Sequence, residues 1–312
     1  MQEQVKVFTG NGNPQLAQEI CDHLGIPLGK ADISRFSNEN VFVQIHENVR
    51  ERDVFVVQPL SSPVSENLVE LLIMLDALRS ASAHRITAVI PYYSYARSDK
   101  KDMPRISIAG RLIADLLMTA GANRLLTMTL HSEQVQGFFR CQADHLSATP
   151  ILCDYFQSLG IGNCVALATD AGSARRAGAY ATRLNIPLAF IDKRRVSDEE
   201  VEVRAVVGDI KGKSIIFFDD EIARGTSLLE AVKLIQNFGV QDIYVGATHG
   251  VLTGDAVERL TASPLRQVVI TNTVPLPPEK RSPKIVQLSV APLFGEAIRR
   301  IHTGESVSEI FE

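Results

Sequence analysis

The chain repeats part of its own pattern at a distance of 160 residues, and this repeat limits the folds that it can adopt. The shift places residues 26–28 on residues 186–188, with Ile-Pro-Leu at both places. It also places the apolar run at 55–57 on the run at 215–217. Self-similarity between two halves indicates one structural unit used twice. A length of 312 residues fits this, because ordinary domains have about 150 residues.

Each half alternates short apolar runs with helical patterns. The runs are almost continuously apolar, as strands covered on both faces require, and lie at 54–57, 86–90, 165–168 and 215–218. The helical segments repeat apolar residues every three or four positions, at 68, 71, 72, 75 and 78 and again at 228, 231, 232 and 235. This alternation predicts an α/β fold with mostly parallel sheets, whose ligands bind beyond the carboxyl ends of the strands.

Charge and cysteine content exclude several classes of protein. Lys and Arg number 32 against 36 Asp and Glu, spread evenly along the chain, so we expect neither a nucleic-acid nor a membrane partner. The four cysteines form no C-x-x-C pair, which suits a reducing compartment. Residues 1–8 lack the apolar core of a signal peptide, so we expect a cytoplasmic location.

The strongest chemical signal follows the run at 215–218. Asp219 and Asp220 come first, and a short loop then reaches Gly225, Thr226 and Ser227 at the start of a helix. Glycine allows close approach of a ligand, and hydroxyls and free amides at a helix N-terminus suit a phosphate. The carboxylates could hold sugar hydroxyls or a hydrated magnesium ion. An acidic turn with a Gly-Thr helix cap is the alternative interpretation.

Two further loops of the second half carry polar groups after strands. Asp170 lies among small residues that would admit a diphosphate and its metal ion, although a plain turn would look the same. Lys193, Arg194 and Arg195 follow another strand. We expect them on a mobile loop that closes over phosphates, with a charged hairpin as the alternative.

Candidates in the first half are less specific. Arg97 follows a strand within a tyrosine-rich segment and could contact a base and its phosphates, or belong to an interface loop. His131 stands at another strand end, where a structural histidine is the alternative to a ligand. The segment at 58–67, which corresponds to the phosphate loop, has two prolines and no acidic pair. Only the second repeat therefore keeps a sugar-phosphate loop.

Over its whole length the chain resembles the ribose-phosphate pyrophosphokinases, or phosphoribosyl pyrophosphate synthetases. The resemblance rests on the segments Phe8-Thr9-Gly10-Asn11, Arg35-Phe36-Ser37, Tyr95-Ala96-Arg97, Gln136-Gly137-Phe138-Phe139, Asp192-Lys193-Arg194-Arg195, Gly208-Asp209-Ile210-Lys211-Gly212-Lys213 and Thr248-His249-Gly250-Val251. It implies two tandem phosphoribosyltransferase-type domains, with a nucleotide side at 1–147 and a ribose 5-phosphate side at 148–288. Residues 289–312 are expected to pack back on the domains as a tail.

The resemblance also implies a reaction, in which the diphosphoryl group of MgATP passes to the anomeric hydroxyl of ribose 5-phosphate and AMP is released. It assigns catalysis to Lys193 and Arg195, and Mg²⁺ binding to His131 and Asp170. It implies a homo-oligomer, often a hexamer. Substrate contacts are implied for ATP at Asn38, Glu39, Asn40, Arg97 and Ser98, and for ribose 5-phosphate at Arg195, Asp219, Asp220, Ala223, Arg224, Gly225, Thr226 and Ser227.

Some positions depart from the usual family pattern. Asn38 and Asn40 stand where an Asp and a Glu are usual, Ser98 replaces a Gln, and Arg224 replaces a Thr in the phosphate loop. We expect looser nucleotide selection and altered sugar-phosphate affinity. Two alternatives are a non-catalytic regulatory relative, which the altered nucleotide positions favour, and a phosphoribosyltransferase, which would need only one such domain.

Overall fold

The structure is a computed structural model that describes residues 4–170, 173–195 and 201–311, with the backbone alone at 193–195, 201–204 and 311. Its strands are β1 (Val5–Thr9), β2 (Ala31–Arg35), β3 (Val41–Ile45), β4 (Asp53–Val57), β5 (Arg85–Ile90), β6 (Arg124–Met128), β7 (Gln142–Leu146), β8 (Cys164–Ala168), β9 (Leu188–Arg195), β10 (Val201–Val207), β11 (Ser214–Ile222), β12 (Ile243–Gly250), β13 (Gln267–Thr271) and β14 (Ile285–Leu288). Its α-helices are α1 (Pro14–Leu24), α2 (Val64–Ser80), α3 (Ala109–Ala120), α4 (Thr149–Ser158), α5 (Ala174–Leu184), α6 (Thr226–Gln236), α7 (Ala256–Ala262) and α8 (Ala291–Thr303).

The chain forms two compact units. The first comprises Met1–Ser147, Thr273–Pro275 and Ser289–Glu312, and the second comprises Ala148–Asn272 and Leu276–Leu288, as far as the structure describes them. Helix α8 therefore belongs to the first unit, where it packs against α1.

A parallel five-stranded sheet forms the centre of the first unit, in the order β1-β4-β5-β6-β7. Every residue of β4 is buried, as expected for a strand covered on both faces. Helix α2 adds Leu71, Leu75 and Leu78, all fully buried, to the core. Burial of each such side chain contributes about 1.5–3 kcal/mol. An antiparallel hairpin of β2 and β3 packs on α2.

The second unit contains a seven-stranded sheet in the order β10-β9-β8-β11-β12-β13-β14. Its strands are parallel except for the antiparallel pair β9 and β10. Strand β11 lies in the middle, and each of its residues except Asp219 is buried. The loop after β11 therefore starts from a rigid part of the sheet.

These observations confirm the predicted α/β fold with mostly parallel sheets. The four apolar runs lie in β4, β5, β8 and β11, and the two helical patterns lie in α2 and α6. Each of these helices follows its strand directly along the chain, β4 before α2 and β11 before α6, which reproduces the repeat. No helix in the described ranges is both long enough and apolar enough to cross a membrane.

Candidate active site

The loop between β11 and α6 has the backbone of an anion site. Gly225 has a φ of +68°, in the left-handed region that favours glycine. Within the described part of the chain no side chain caps α6, so the amides of its first turn can donate to a bound anion. The amides of Leu252 and Thr253 donate to the carbonyl oxygens of Ile222 and Ala223, each at 3.0 Å, and hold the loop in place.

The side chains of this loop are mostly accessible. Arg224, Thr226 and Ser227 are exposed, and Ala223 is half-buried. The Nη1 atom of Arg259, on α7, lies 3.4 Å from the Arg224 carbonyl oxygen and 3.4 Å from the Thr226 hydroxyl. Arg259 is thus a second arginine beside the loop, and the sequence interpretation missed it because it lies on another element.

The acidic pair lies within β11 and not at its end, because the strand continues to Ile222. Asp219 is in register with Ala247 of β12. The Asp219 side chain is 38% exposed, whereas that of Asp220 is 3% exposed. The two carboxylates thus differ in their access to solvent, although both remain next to the phosphate loop along the chain.

The environment of the pair changes the acidity of Asp219. Burial and the neighbouring Asp220 carboxylate raise the pKa of Asp219 to about 7, while the Arg176 guanidinium acts in the opposite direction. The pair can therefore hold a proton near neutral pH, and its charge depends on what surrounds it.

Arg176 contacts both acids and is absent from the sequence predictions. Its Nη1 donates to Asp219 Oδ1 at 2.7 Å and also contacts Asp220 Oδ1. One feature of the sequence indicates a role for Arg176. Arg175 and Arg176 occupy the first turn of α5, where the helix dipole disfavours a cation that has no acidic partner.

Asp170 lies in the loop after β8 and is exposed. The Ser173 amide donates to Asp170 Oδ1 at 2.7 Å, and the Ser173 hydroxyl donates to the Asp170 carbonyl oxygen at 3.0 Å. These bonds close the loop on itself and orient the Asp170 carboxylate. Residues 171 and 172, which the sequence includes in the same loop, lie outside the described residues.

Lys193 and Arg195 lie on β9 instead of on the expected loop. Strand β9 pairs with β10 in an antiparallel register that places Arg195 opposite Val201 and Lys193 opposite Val203. The backbone at both residues is therefore part of a strand, because hydrogen bonds to β10 extend β9 as far as Arg195. The side chains of Lys193 and Arg195, and residues 196–200, lie outside the described residues.

Three of the five residues implied in nucleotide binding lie in the turn between β2 and β3. Asn38, Glu39 and Asn40 are all exposed. The Phe36 amide donates to the Asn40 carbonyl oxygen at 2.9 Å, and Glu39 has a φ of +67°. The Phe36 ring meets Phe42 edge to face, with centroids 5.4 Å apart, and both rings are exposed. Exposed aromatic rings beside a polar turn could stack with a base.

Arg97 and Ser98 follow β5 at a short 3₁₀ turn, Ser94–Arg97. Arg97 is exposed and Ser98 is half-buried. The Ser98 carbonyl oxygen accepts from the Gly110 amide at 3.0 Å, which ties this turn to α3. The fold thus presents Arg97 from an anchored turn.

His131 follows β6 and is exposed. A second histidine, His145 on β7, supports the same segment, because its Nε2 accepts from the Leu130 amide at 2.8 Å. Burial lowers the pKa of His145, so the neutral ring that accepts this bond is favoured. His145 is a supporting residue that the sequence interpretation missed.

The candidate metal ligands fall in different units, with His131 in the first and Asp170 in the second. In the described parts of the chain no three or more His, Cys, Asp or Glu residues group together in a way that could hold a metal ion. Mg²⁺ usually keeps several waters and takes substrate phosphate oxygens besides one or two carboxylates.

The fold defines an α/β enzyme with two phosphoribosyltransferase-type domains. Residues 5–121 match the N-terminal domain of ribose phosphate pyrophosphokinase, and residues 196–312 match the phosphoribosyl synthetase-associated domain. The crystal structure of phosphoribosylpyrophosphate synthetase from Mycobacterium smegmatis matches with a TM-score of 0.91 and 40% identity, over 96% of this chain and 99% of that one.

Full-length sequence relatives agree with the structural match. The ribose-phosphate pyrophosphokinase of Deinococcus radiodurans is 54% identical over 98% of this chain and 97% of that protein. That of Caldanaerobacter subterraneus is 50% identical over 98% of both chains. The chain belongs to the ribose-phosphate pyrophosphokinase family, whose enzymes transfer the diphosphoryl group of ATP to the anomeric hydroxyl of ribose 5-phosphate. The prediction of this enzyme is confirmed.

Proposed function

We propose that this chain carries out the reaction of its family with ribose 5-phosphate bound at the β11–α6 loop of the second unit. The observation that carries the assignment is the uncapped N-terminus of α6 after the left-handed Gly225, directly downstream of an acidic pair. A sugar phosphate requires a site for its phosphate anion and groups that accept hydrogen bonds from its hydroxyls. For ATP we propose the turn at 38–40 together with Arg97 and Ser98, all in the first unit.

The sugar would be held at both ends. The first-turn amides of α6, the hydroxyls of Thr226 and Ser227, and the Arg224 guanidinium would bind the 5-phosphate, with Ala223 and Gly225 shaping the loop. Asp219 and Asp220 would accept hydrogen bonds from the ribose hydroxyls. This arrangement fixes the orientation of the sugar and leaves its anomeric hydroxyl to react.

In the reaction, the anomeric oxygen attacks the β-phosphorus of ATP, the bond from that phosphorus to the α,β-bridging oxygen breaks, and AMP leaves. Phosphoryl transfer depends mainly on positioning and on stabilisation of negative charge. Lys193 and Arg195 would supply cations to the transferred group, and Arg195 would also contact ribose 5-phosphate.

We propose Mg²⁺ as the cofactor, with Asp170 of the second unit and His131 of the first unit each as a candidate ligand. The exposed Asp170 carboxylate fits, because Mg²⁺ prefers oxygen ligands and commonly takes one or two carboxylates besides phosphate oxygens and water. The Ser173 hydrogen bond fixes the orientation of this carboxylate, which a metal ligand requires. The bound ion would neutralise charge on the diphosphate.

We also propose a homo-oligomer, with a hexamer as the expected size, in the cytoplasm. Leu112 and Leu116, one turn apart on α3, are 51% and 38% exposed, which supports burial against a second copy. Cys21 and Cys153 are buried free thiols, which suits a reducing compartment. Sedimentation velocity of the purified protein would measure the size of the assembly, and a monomer would contradict this proposal.

The test of the proposed function combines an assay with one variant. The purified protein, ribose 5-phosphate, Mg²⁺ and ATP should give AMP and phosphoribosyl pyrophosphate, identified by ³¹P NMR. Lys193→Ala should lower kcat by about a hundredfold or more, with the KM for ribose 5-phosphate nearly unchanged, because a cation acting on transition-state charge affects turnover.

The neighbouring Arg194→Ala is the matched control and should retain most activity. Absence of product from the unmodified protein with every nucleoside triphosphate would favour the regulatory-relative alternative. A Lys193→Ala variant with normal kcat would remove Lys193 from catalysis.

A further inference from the structure

Arg176 joins the two acidic residues of β11 through a single nitrogen. Its Nη1 lies 2.7 Å from Asp219 Oδ1 and also contacts Asp220 Oδ1. The Asp220 amide also donates to Asp219 Oδ1, at 2.9 Å. Both arginine contacts fall on Oδ1 atoms. An ionised carboxylate only accepts hydrogen bonds, at about four sites on its two oxygens.

The packing of α5 on the sheet determines where Arg176 lies. Tyr180 is one helical turn further along α5, and its ring stacks on Phe218 with centroids 4.0 Å apart and planes 5° from parallel. Residues four apart share one face of a helix, so the contact of Tyr180 also brings Arg176 to the strand. Asp220 lies two positions after Phe218, on the same face of β11, and Arg176 therefore reaches the acidic pair from that face.

The pair needs such a partner if it is to bind hydroxyl groups. Two adjacent carboxylates, one of them almost fully buried, disfavour being ionised together. A protonated carboxyl would donate one hydrogen bond and lose acceptor capacity. The guanidinium offsets the negative charge and fixes the orientation of both carboxylates at the same time.

We infer that Arg176 is a positioning residue for the sugar, which holds Asp219 and Asp220 so that they accept hydrogen bonds from the vicinal hydroxyls of a pentose phosphate. Through the pair, Arg176 also determines selection of a pentose with a 2-hydroxyl over one without it. The inference rests on the proposed role of the pair in binding ribose 5-phosphate. Arg176 itself is not required to touch the sugar.

The test compares Arg176→Ala with Arg175→Ala. Arg175 has the same charge on the same helical turn and is exposed, so its variant should keep wild-type kinetics. In Arg176→Ala the KM for ribose 5-phosphate should rise about tenfold, because the charge-assisted hydrogen bonds that orient Asp219 and Asp220 are lost. The KM for ATP and kcat should change less than about twofold, since neither depends on the pair in this account.

Sugar selection gives a second readout that a purely structural role would not change. The ratio of kcat/KM for ribose 5-phosphate to that for 2-deoxyribose 5-phosphate should fall in Arg176→Ala and return partly in Arg176→Lys, which keeps the charge without the planar fork. If Arg176→Ala does not fold, Arg176→Lys and Arg176→Gln are measured in its place. An unchanged KM, or equal losses for both sugars and for ATP, would overturn the inference.

The proposed function and the inference about Arg176 can be refuted independently of each other. It fails if the unmodified protein does not use ribose 5-phosphate, or if Asp219→Asn leaves the KM for this sugar unchanged. If both of those measurements succeed and only the Arg176 variants behave like wild type, the inference about Arg176 is wrong.

Discussion

Single residues of this chain owe their properties to partners that are distant in sequence. Asp219 and Asp220 depend on Arg176, 43 and 44 positions away, for a counter-ion on a buried strand. Arg259 reaches the Thr226 hydroxyl from 33 positions away. Because burial increases the cost of an unpaired charge, the Arg176 contacts influence which ionisation states Asp219 and Asp220 can adopt.

The raised pKa of Asp219 predicts a pH-dependent stability. In the folded state this acid keeps its proton up to about pH 7, above its value of 3.8 in an unfolded chain. The stability linked to this proton is fully present below the unfolded pKa and is lost as the pH rises through about 7. As the pH increases from 4 to 7, the Tm of the wild type should therefore fall relative to that of Asp219→Asn.

Differential scanning fluorimetry at several pH values measures this difference. Asp209→Asn is the control, because Asp209 pairs with Lys213 and its pKa is lowered, not raised. A Tm difference for Asp219→Asn that does not vary with pH would contradict the prediction.

Arg224 is expected to contribute directly to phosphate binding. It is exposed on the loop that ends at the N-terminus of α6, where a guanidinium can make a bidentate contact with a phosphate. Arg224→Thr should raise the KM for ribose 5-phosphate about tenfold, equivalent to about 1.4 kcal/mol. Ribose without the 5-phosphate should be affected little. Equal effects on the two sugars, or no effect on either, would place Arg224 outside the phosphate site.

At the scale of elements, two antiparallel strand pairs carry residues that the sequence suggests for chemistry. The β2–β3 hairpin presents its polar residues at an exposed turn, whereas Lys193 and Arg195 lie on β9, which pairs with β10. Asparagine, which stands at 38 and 40, is a residue type that favours turns. The length of β9 depends instead on its pairing with β10, which no local pattern shows.

The β2–β3 turn is expected to set nucleotide selection. An amide can present either its oxygen or its nitrogen to a base, whereas a carboxylate only accepts. The wild type should therefore discriminate less between ATP and GTP or CTP than a double Asn38→Asp, Asn40→Glu variant. The ratio of kcat/KM values for the nucleotides measures this, with the KM for ribose 5-phosphate as the internal control. An unchanged ratio would show that the turn does not select the base.

At the scale of the whole molecule, the last helix is tied to the first unit by a buried ion network. The Asp53 side chain, 8% exposed, accepts from Arg85 Nε at 2.9 Å and contacts His302 Nδ1 at 2.9 Å. Arg85 Nη2 also donates to the carbonyl oxygen of Ile301 on α8, at 3.0 Å. The network therefore joins β4, β5 and α8.

Asp53→Asn should destabilise the first unit by about 1.5–3 kcal/mol, because it removes the charge from hydrogen bonds that are largely buried. Urea unfolding followed by circular dichroism measures the change. Asp76→Asn is the matched control, since the exposed Asp76–Arg79 pair is expected to contribute little. Equal stability of the two variants would contradict the importance of this network.

The sequence alone determined the fold class, the repeat and the position of the loop between β11 and α6. Apolar periodicity and glycine chemistry are local properties, and they correctly placed β4, β5, β8 and β11 as well as the start of α6 at Thr226. The roles of the individual site residues remain predictions. The boundaries at 147 and 288 remain predictions as well.

Only the tertiary structure decided which side chains meet. The contacts of Arg176 with the acidic pair, of Arg259 with the phosphate loop and of His145 with Leu130 each join separate elements. The same holds for α8, which returns to the first unit to pack against α1. Such contacts depend on how helices dock on sheets and on how strands pair, and a pattern read along one segment does not contain that information.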